Sequence, residues 1–390
     1  MTDVKPNLET LRQWRHDFHQ HPETAFEEHR TSRRITEILR DAGLEVTTGL
    51  GGGTGVVATL DGSLGKGPSI GLRADIDALD IQEISDAAHA SSIPGKMHAC
   101  GHDGHTTMLL GAACHLAAQP DFAGRVHFIF QPAEESEGGG RVMVEEGLFE
   151  RFPMQAVYGV HNWPGLAVGE AAVHDTAVMA AFDVFTLTLK GKGCHAAMPH
   201  LGTDVILAAS QLVTQLQGLI SRETPAHQTA VLSVTQIHAG DAFNVIPETL
   251  ELRGTLRCFD ESLRKHLAER FSQAVAALAQ FHELDADLDY QPRYPATFNT
   301  PEHAQRCAEV LESMTQITHV HRDQPPSMAS EDFAFMLCEC PGAYIWLGNG
   351  EESAALHNPH YDFNDTLSPI GVSYWTQLVQ TLLAHPNDNT

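Results

Sequence analysis

Apolar residues recur along the chain with three different rhythms. Between positions 8 and 41, Leu11, Trp14 and Phe18 and then Ile35, Ile38 and Leu39 fall at helical spacing, and Gly43 follows as a stop, so a helical opening is predicted. Short β-rich runs follow at 55–60 and 69–73, then a helix over 103–118, a strand over 125–130, a helix near 140–146 and a strand over 156–160. Strands alternating with helices predict an α/β fold, a mostly parallel sheet covered on both faces.

The rhythm changes at 182–190, where Phe185, Leu187 and Leu189 alternate with Val184, Thr186 and Thr188, the period of a strand. A helix (203–220), two strands (229–237 and 249–257), a helix (261–279) and a strand (284–290) complete the order βαββαβ, that of an α+β ferredoxin-like unit. Such a unit inserted over 184–296 leaves 297–390 to rejoin a first domain formed by 1–183, with Pro292, Pro295 and Asn299 marking the return. A chain of 390 residues has room for two cores of this kind.

Composition narrows the class. A formal charge of −26 opposes binding to nucleic acid or to an anionic membrane, and no apolar run reaches the ~20 residues of a membrane span. The first residues, MTDVKPNLETLRQ, have no basic stretch followed by an apolar one, so a cytoplasmic location is expected. Seven scattered cysteines read as reduced thiols rather than a disulfide framework. The 24 histidines equal the lysines and arginines together, which raises the question of metal binding.

Candidate chemistry gathers at a few places. KMHACGHDGHTT (96–107) crowds a thiol and three imidazoles at the mouth of a predicted helix, with Cys100 and His102 on the loop facing a metal and Asp103 starting the helix as its cap. In FIFQPAEESEGGG a strand runs into Glu134 and Glu135, at the end of the sheet where open α/β folds bind ligands. Metal-assisted hydrolysis needs one carboxylate as ligand and another as proton acceptor. His161 in VYGVHNWPG and His357 in LHNPHYDFND gain weight from that set, since a lone histidine is more often structural. Asp75 and Asp77 in RADIDAL suit a carboxylate that orients a ligand imidazole, although turn chemistry would equally account for Asp77.

Over essentially its whole length the chain resembles the aminoacylase and carboxypeptidase G type of dinuclear metallopeptidases, in the branch of hippurate hydrolases and plant auxin-amide hydrolases. The matching segments include HPETAFEEHRTS, LRADIDALDIQE, MHACGHDGHTTMLLGAA, FQPAEESEGGG, GVHNWPG, GKGCHAAMPHLGTD, NVIPETLELRGTLR, SEDFAFML and LHNPHYDFND. The resemblance implies an αβα-sandwich catalytic domain with an inserted lid that also carries a homodimer interface. It assigns Cys100, His102, Glu135, His161 and His357 to two divalent cations, zinc or manganese with cobalt and nickel also admitted, and Glu134 to the general base. In the related carboxypeptidases the first ligand is a histidine of a His-x-Asp motif, where this chain has Asp75-Ile76-Asp77, so the bridging ligand stays open. His195 matches a lid histidine that reaches the active site, and Cys194 stands where that motif commonly has glycine. Asn244 and Arg257 match positions that hold a substrate carboxylate, with a salt bridge on the lid as the alternative for Arg257. The implied reaction is hydrolysis of the amide of a small N-acyl amino acid by a metal-activated water. A dipeptidase or aminopeptidase of the same superfamily, and a catalytically silent metal-binding protein, are the competing readings.

Overall fold

The computed structural model describes residues 7–135 and 137–384. The chain divides into two units, Met1–Val178 with Phe298–Pro325 and Asp332–Thr390, and Met179–Thr297 with Pro326–Glu331. Among the described residues no helix is long and apolar enough to cross a membrane.

The first unit is built on an eight-stranded sheet in the order Glu45–Leu50, Gly55–Asp61, Arg125–Gln131, Ser69–Asp75, Ala156–Pro164, Gly342–Gly350, Glu170–Ala172, His319–His321. Its centre, from Arg125–Gln131 to Gly342–Gly350, is parallel. Alternation explains how both faces are covered. Val126, Phe128 and Phe130 point into one core with Ile70, Leu72 and Ala74, where helices His102–Ala118 and Ser368–Leu382 supply Met108, Leu109, Tyr374 and Trp375. On the opposite face Arg73 lies under the ring of Phe333, from the helix Phe333–Glu339, with 5.6 Å between guanidinium carbon and ring centre.

The helical opening is two helices, Leu8–Gln20 and His29–Asp41, rather than one. Pro22 disfavours helical backbone at His21, which ends the first helix at φ −129°. The second helix restarts on the Glu23 carboxylate, which accepts from the backbone N–H groups of Arg30 and Thr31.

The second unit follows the order βαββαβ. Its antiparallel sheet runs Ala230–Ala239, Thr249–Cys258, Ala181–Lys190, Asp285–Tyr294, the strand order of a ferredoxin-like fold. Phe185, Leu187 and Leu189 face helices Val205–Gly218 and Glu261–His282, while Val184, Thr186 and Thr188 point away. Asp204 and Asp260 accept from the first-turn N–H groups of the two helices and so fix where they begin.

Candidate active site

A strand end, a helix start, a turn and a late loop of the first unit converge on one cluster, buried except at His357, which is exposed. The helix His102–Ala118 begins after Gly101, whose φ of 93° is left-handed and whose absent Cβ would sit 2.2 Å from Asn162 Oδ1 and 2.6 Å from the Tyr361 hydroxyl. Only glycine fits there, and the turn it makes sends Cys100 and His102 to the same cluster. His102 is therefore the first helical residue, not a loop residue. Asp103 does not cap the helix, since no side chain does; it turns inward to His19 Nδ1 at 2.8 Å and Arg15 Nη1 at 3.4 Å. A buried cation pair offers that carboxylate more than neutral backbone N–H groups would. His161 lies within the strand Ala156–Pro164, whose pairing continues past Val160.

The donor atoms fall into overlapping sets. Cys100, His102 and His161 form one and Cys100, Glu135 and His357 another, with one ligand atom of each residue within 4.8 Å of the others in its set. Cys100 Sγ is 3.4 Å from His161 Nε2, and His357 Nε2 is 3.3 Å from Glu135 Oε2. His102 Nε2 and Glu135 Oε1 are 3.8 Å apart, too far to bond, and both are buried with no hydrogen-bond partner. Two orphaned buried atoms facing each other are costly unless something between them completes the site.

Second partners fix the ligand side chains. His102 Nδ1 donates to the Asp77 carbonyl at 2.9 Å and lies 3.2 Å from Asp77 Oδ1, which leaves Nε2 as the free donor pair. The other Asp77 oxygen accepts from the N–H of Glu135. Asp77 thus touches both His102 and Glu135, the contacts expected of a carboxylate that orients them. His161 Nδ1 bonds the Asn162 carbonyl at 2.6 Å, aiming Nε2 at Cys100. Burial would lower the His102 pKa, but Asp75, Asp77 and Glu135 outweigh it and hold the imidazolium up to about 10. Burial, with Glu135, Glu134 and Asp75 nearby, keeps Cys100 a thiol well above its ordinary value. A cation entering the cluster must displace both protons.

The model of Peptidase family M20/M25/M40 matches residues 71–381 of this chain. The chain belongs to that family. It is 38% identical over 380 residues to the hippurate hydrolase of Campylobacter jejuni, covering 96% of each, and 36% identical over 371 residues to an N-acetylcysteine deacetylase of Bacillus subtilis, covering 95% of this chain and 96% of that one. The crystal structure of the Bacillus subtilis YXEP protein, described as a dinuclear metal binding peptidase of family M20, matches with a TM-score of 0.83 at 33% identity, over 96% of this chain and 98% of that one. The M20 fold accounts for the inserted second unit, and its dinuclear centre fits the donors found here: two sets sharing a thiol, with two orphaned buried atoms.

Other residues of this M20 chain complete the picture. Glu134 is buried beside Glu135, its Oε1 accepting from the Asp332 N–H at 3.3 Å, and it shares a donor group with His102 and Glu135. In the second unit, strand Cys194–His195 pairs with Val245–Ile246, and the Ala196 N–H bonds the Asn244 carbonyl, so His195 and Asn244 share one exposed ladder. Cys194 has no left-handed φ and packs against Gly202, so the missing glycine distorts nothing. Arg257 stacks on Phe182 and donates to the Met328 carbonyl at 2.8 Å, a carbonyl rather than a carboxylate partner. Of the residues behind these donors, sequence reasoning named Asp75 and Asp77 and missed His105, Asn162 and Arg73. His105 sits between Asp75 Oδ1 and Asn162 Oδ1, 2.6 Å from each, and Arg73 ties Asp75 to Asp332. The third imidazole of the 96–107 motif was the available signal for His105.

Proposed function

We propose that this chain hydrolyses the amide bond of small N-acyl amino acids, releasing a carboxylic acid and a free amino acid. The observation that carries the reading is the pair of donor sets sharing Cys100, with the Glu134 carboxylate beside them. The relatives' names support the substrate class: hippurate and N-acetylcysteine are both amino acids acylated on nitrogen.

Cys100, His102 and His161, and Cys100, Glu135 and His357, would hold two divalent cations, with Cys100 common to both. When bound, such ions polarise the scissile carbonyl and acidify water. Thiolate and imidazole favour zinc, and the carboxylate share admits manganese, cobalt or nickel. Glu134 takes a proton from the attacking water and later delivers it to the departing amine nitrogen. Its bond from the Asp332 N–H fixes one oxygen and so the direction of that transfer. Asp77 holds the His102 ring in one tautomer.

In the second unit His195 acts as the donor to the developing oxyanion, and Asn244 and Arg257 hold the substrate carboxylate, the guanidinium offering two parallel donors. This unit serves as lid and as the interface of a homodimer. Its strand Ala230–Ala239 is an edge of the sheet, with Val231 and Ile237 exposed on it and Phe243 and Val245 exposed nearby. A panel of acetyl- and benzoyl-amino acids against free dipeptides, with and without chelator, tests the assignment. Chelator-sensitive hydrolysis of the acylated series is the expected result. Preference for free dipeptides makes the chain an aminopeptidase, and no hydrolysis at all makes it a silent metal-binding protein.

A further inference from the structure

Glu28, in the HPETAFEEHRTS segment, takes no part in the chemistry above, yet its carboxylate is fully buried, with no exposed surface. Its Oε1 accepts two backbone N–H groups, from Phe26 at 3.1 Å and from Ala133 at 3.0 Å, and its Oε2 accepts the Thr54 hydroxyl at 2.7 Å. Both residues bonded to Oε1 are in the left-handed region, Phe26 at φ 60° and Ala133 at φ 56°. Side-chain-bearing residues avoid that region, and persist there only where surrounding bonds hold them.

Ala133 is the residue before Glu134 and Glu135. Its carbonyl accepts from the Gly139 N–H at 3.0 Å, so the segment carrying both carboxylates is closed at its far end, where a Cβ on Gly139 would lie 1.8 Å from the Pro132 carbonyl oxygen. The near end is held by Glu28, 105 positions earlier in the chain. If Ala133 relaxed to a right-handed conformation, the direction of the chain through Glu134 and Glu135 would change. A shift of about 1 Å at a reacting group is enough to cost about 100-fold in rate.

We propose that Glu28 is a positioning residue: by clamping the left-handed Ala133 through its backbone N–H, it sets the aim of Glu134 and Glu135. The inference rests on the reading of Glu134 as general base. Burial and the nearby Asp77 push the Glu28 carboxyl up to about 7, and the clamp tolerates either protonation state, because a proton on Oε2 can be donated to the Thr54 hydroxyl while Oε1 still accepts both N–H groups. A glutamine would do the same with its amide nitrogen toward Thr54. A leucine of similar size would not.

The test is steady-state kinetics at saturating metal, with turnover expressed per metal-loaded subunit, on Glu28→Leu, Glu28→Gln, Thr54→Val and Glu134→Gln. Glu28→Leu should lower kcat by about 10- to 100-fold with little change in KM, and Glu28→Gln should restore most of it. Thr54→Val keeps the Oε1 bonds and loses the anchor on Oε2, so kcat should fall by a smaller factor; this variant answers the question if Glu28→Leu does not fold. Unchanged kcat in Glu28→Leu, or in Thr54→Val where leucine is not tolerated, overturns the clamp. So does a Glu28→Gln variant as slow as the leucine, since a lost charge would then matter and not a lost acceptor. Glu134→Gln separates the two readings: full turnover there removes the general base, whereas loss there beside full turnover in Glu28→Leu removes only the clamp.

Discussion

Cys100, His102 and His161 in the first unit are 7%, 1% and 4% exposed, whereas His195 and Asn244 in the second stand in solvent. The ring of His102 is fixed by Asp77, and that of His161 by the Asn162 carbonyl, so their rotamers are set before any ligand arrives. In the second unit the backbone is fixed by a short ladder, while the His195 ring accepts a bond from the Ala197 N–H two residues along. The contrast separates two tasks. Holding cations needs donors that converge without reorganising, and meeting a variable organic substrate needs side chains still free to turn. Substitutions in the first unit should therefore alter metal content or chemistry, and those in the second should alter substrate affinity with the metal intact.

The largest effect tests the first half of that division. Glu134→Gln should lower kcat by about 10²- to 10⁴-fold while metal analysis finds the same ions per subunit as in the wild type. Loss of metal in this variant would make Glu134 a ligand. Next in size, Asp77→Ala removes the carboxylate that lies beside His102 Nδ1 and accepts the Glu135 N–H, leaving His102 only the main-chain carbonyl of residue 77, and should weaken metal binding by about 10-fold, with activity returning as metal is added. An Asp77→Ala protein that binds metal as tightly as the wild type would reduce Asp77 to turn chemistry.

How far these residues could be read from the sequence depends on what sets their position. Phe185, Leu187 and Leu189 announce their strand because burial on one face imposes a period of two within a few residues. Cys100, His102, Glu134 and Glu135 stand out because reactive side chains crowd into short motifs. The break between Gln20 and His29 is marked in the sequence by Pro22 alone, and the helical spacing of apolar residues before and after it masks that mark. Asp103 looked like a cap because its sequence position suits one, and only the fold brings Arg15 and His19 to it from 88 and 84 residues away. Glu28 carries no local mark at all, since its partner Ala133 has an ordinary side chain and an unusual backbone.

The second half of the division predicts a smaller change. Arg257→Lys gives up the planar fork, the stack on Phe182 and the bond to the Met328 carbonyl, and should raise KM for N-acyl amino acids about tenfold at unchanged metal content. His195→Ala should lower turnover, again with full metal. Depletion of metal in either variant would merge the two roles proposed for the two units.

The smallest effect leaves turnover near neutral pH untouched and appears in stability. Burial opposes a charge on His19, but Asp103 at 2.8 Å and Glu83 at 3.4 Å overcome it and raise its pKa from 6.5 to about 9. A histidine raised on folding contributes stability that is complete below pH 6.5 and is lost as pH climbs through 9. Over that window the metal-loaded protein should lose at most about 1.4 kcal/mol per pH unit, seen as a falling Tm. His19→Gln should be less stable at pH 6.5 and should lose far less than the wild type between pH 7.5 and 9. The second unit has a buried pair of its own, Arg264 with Asp183, whose guanidinium does not titrate there. Hydrogen exchange resolved by segment should accordingly show helices Leu8–Gln20 and His102–Ala118 losing protection between pH 6.5 and 9 while the strands Ala181–Lys190 and Thr249–Cys258 keep theirs. Equal loss in both units would mean that His19 does not carry the pH dependence.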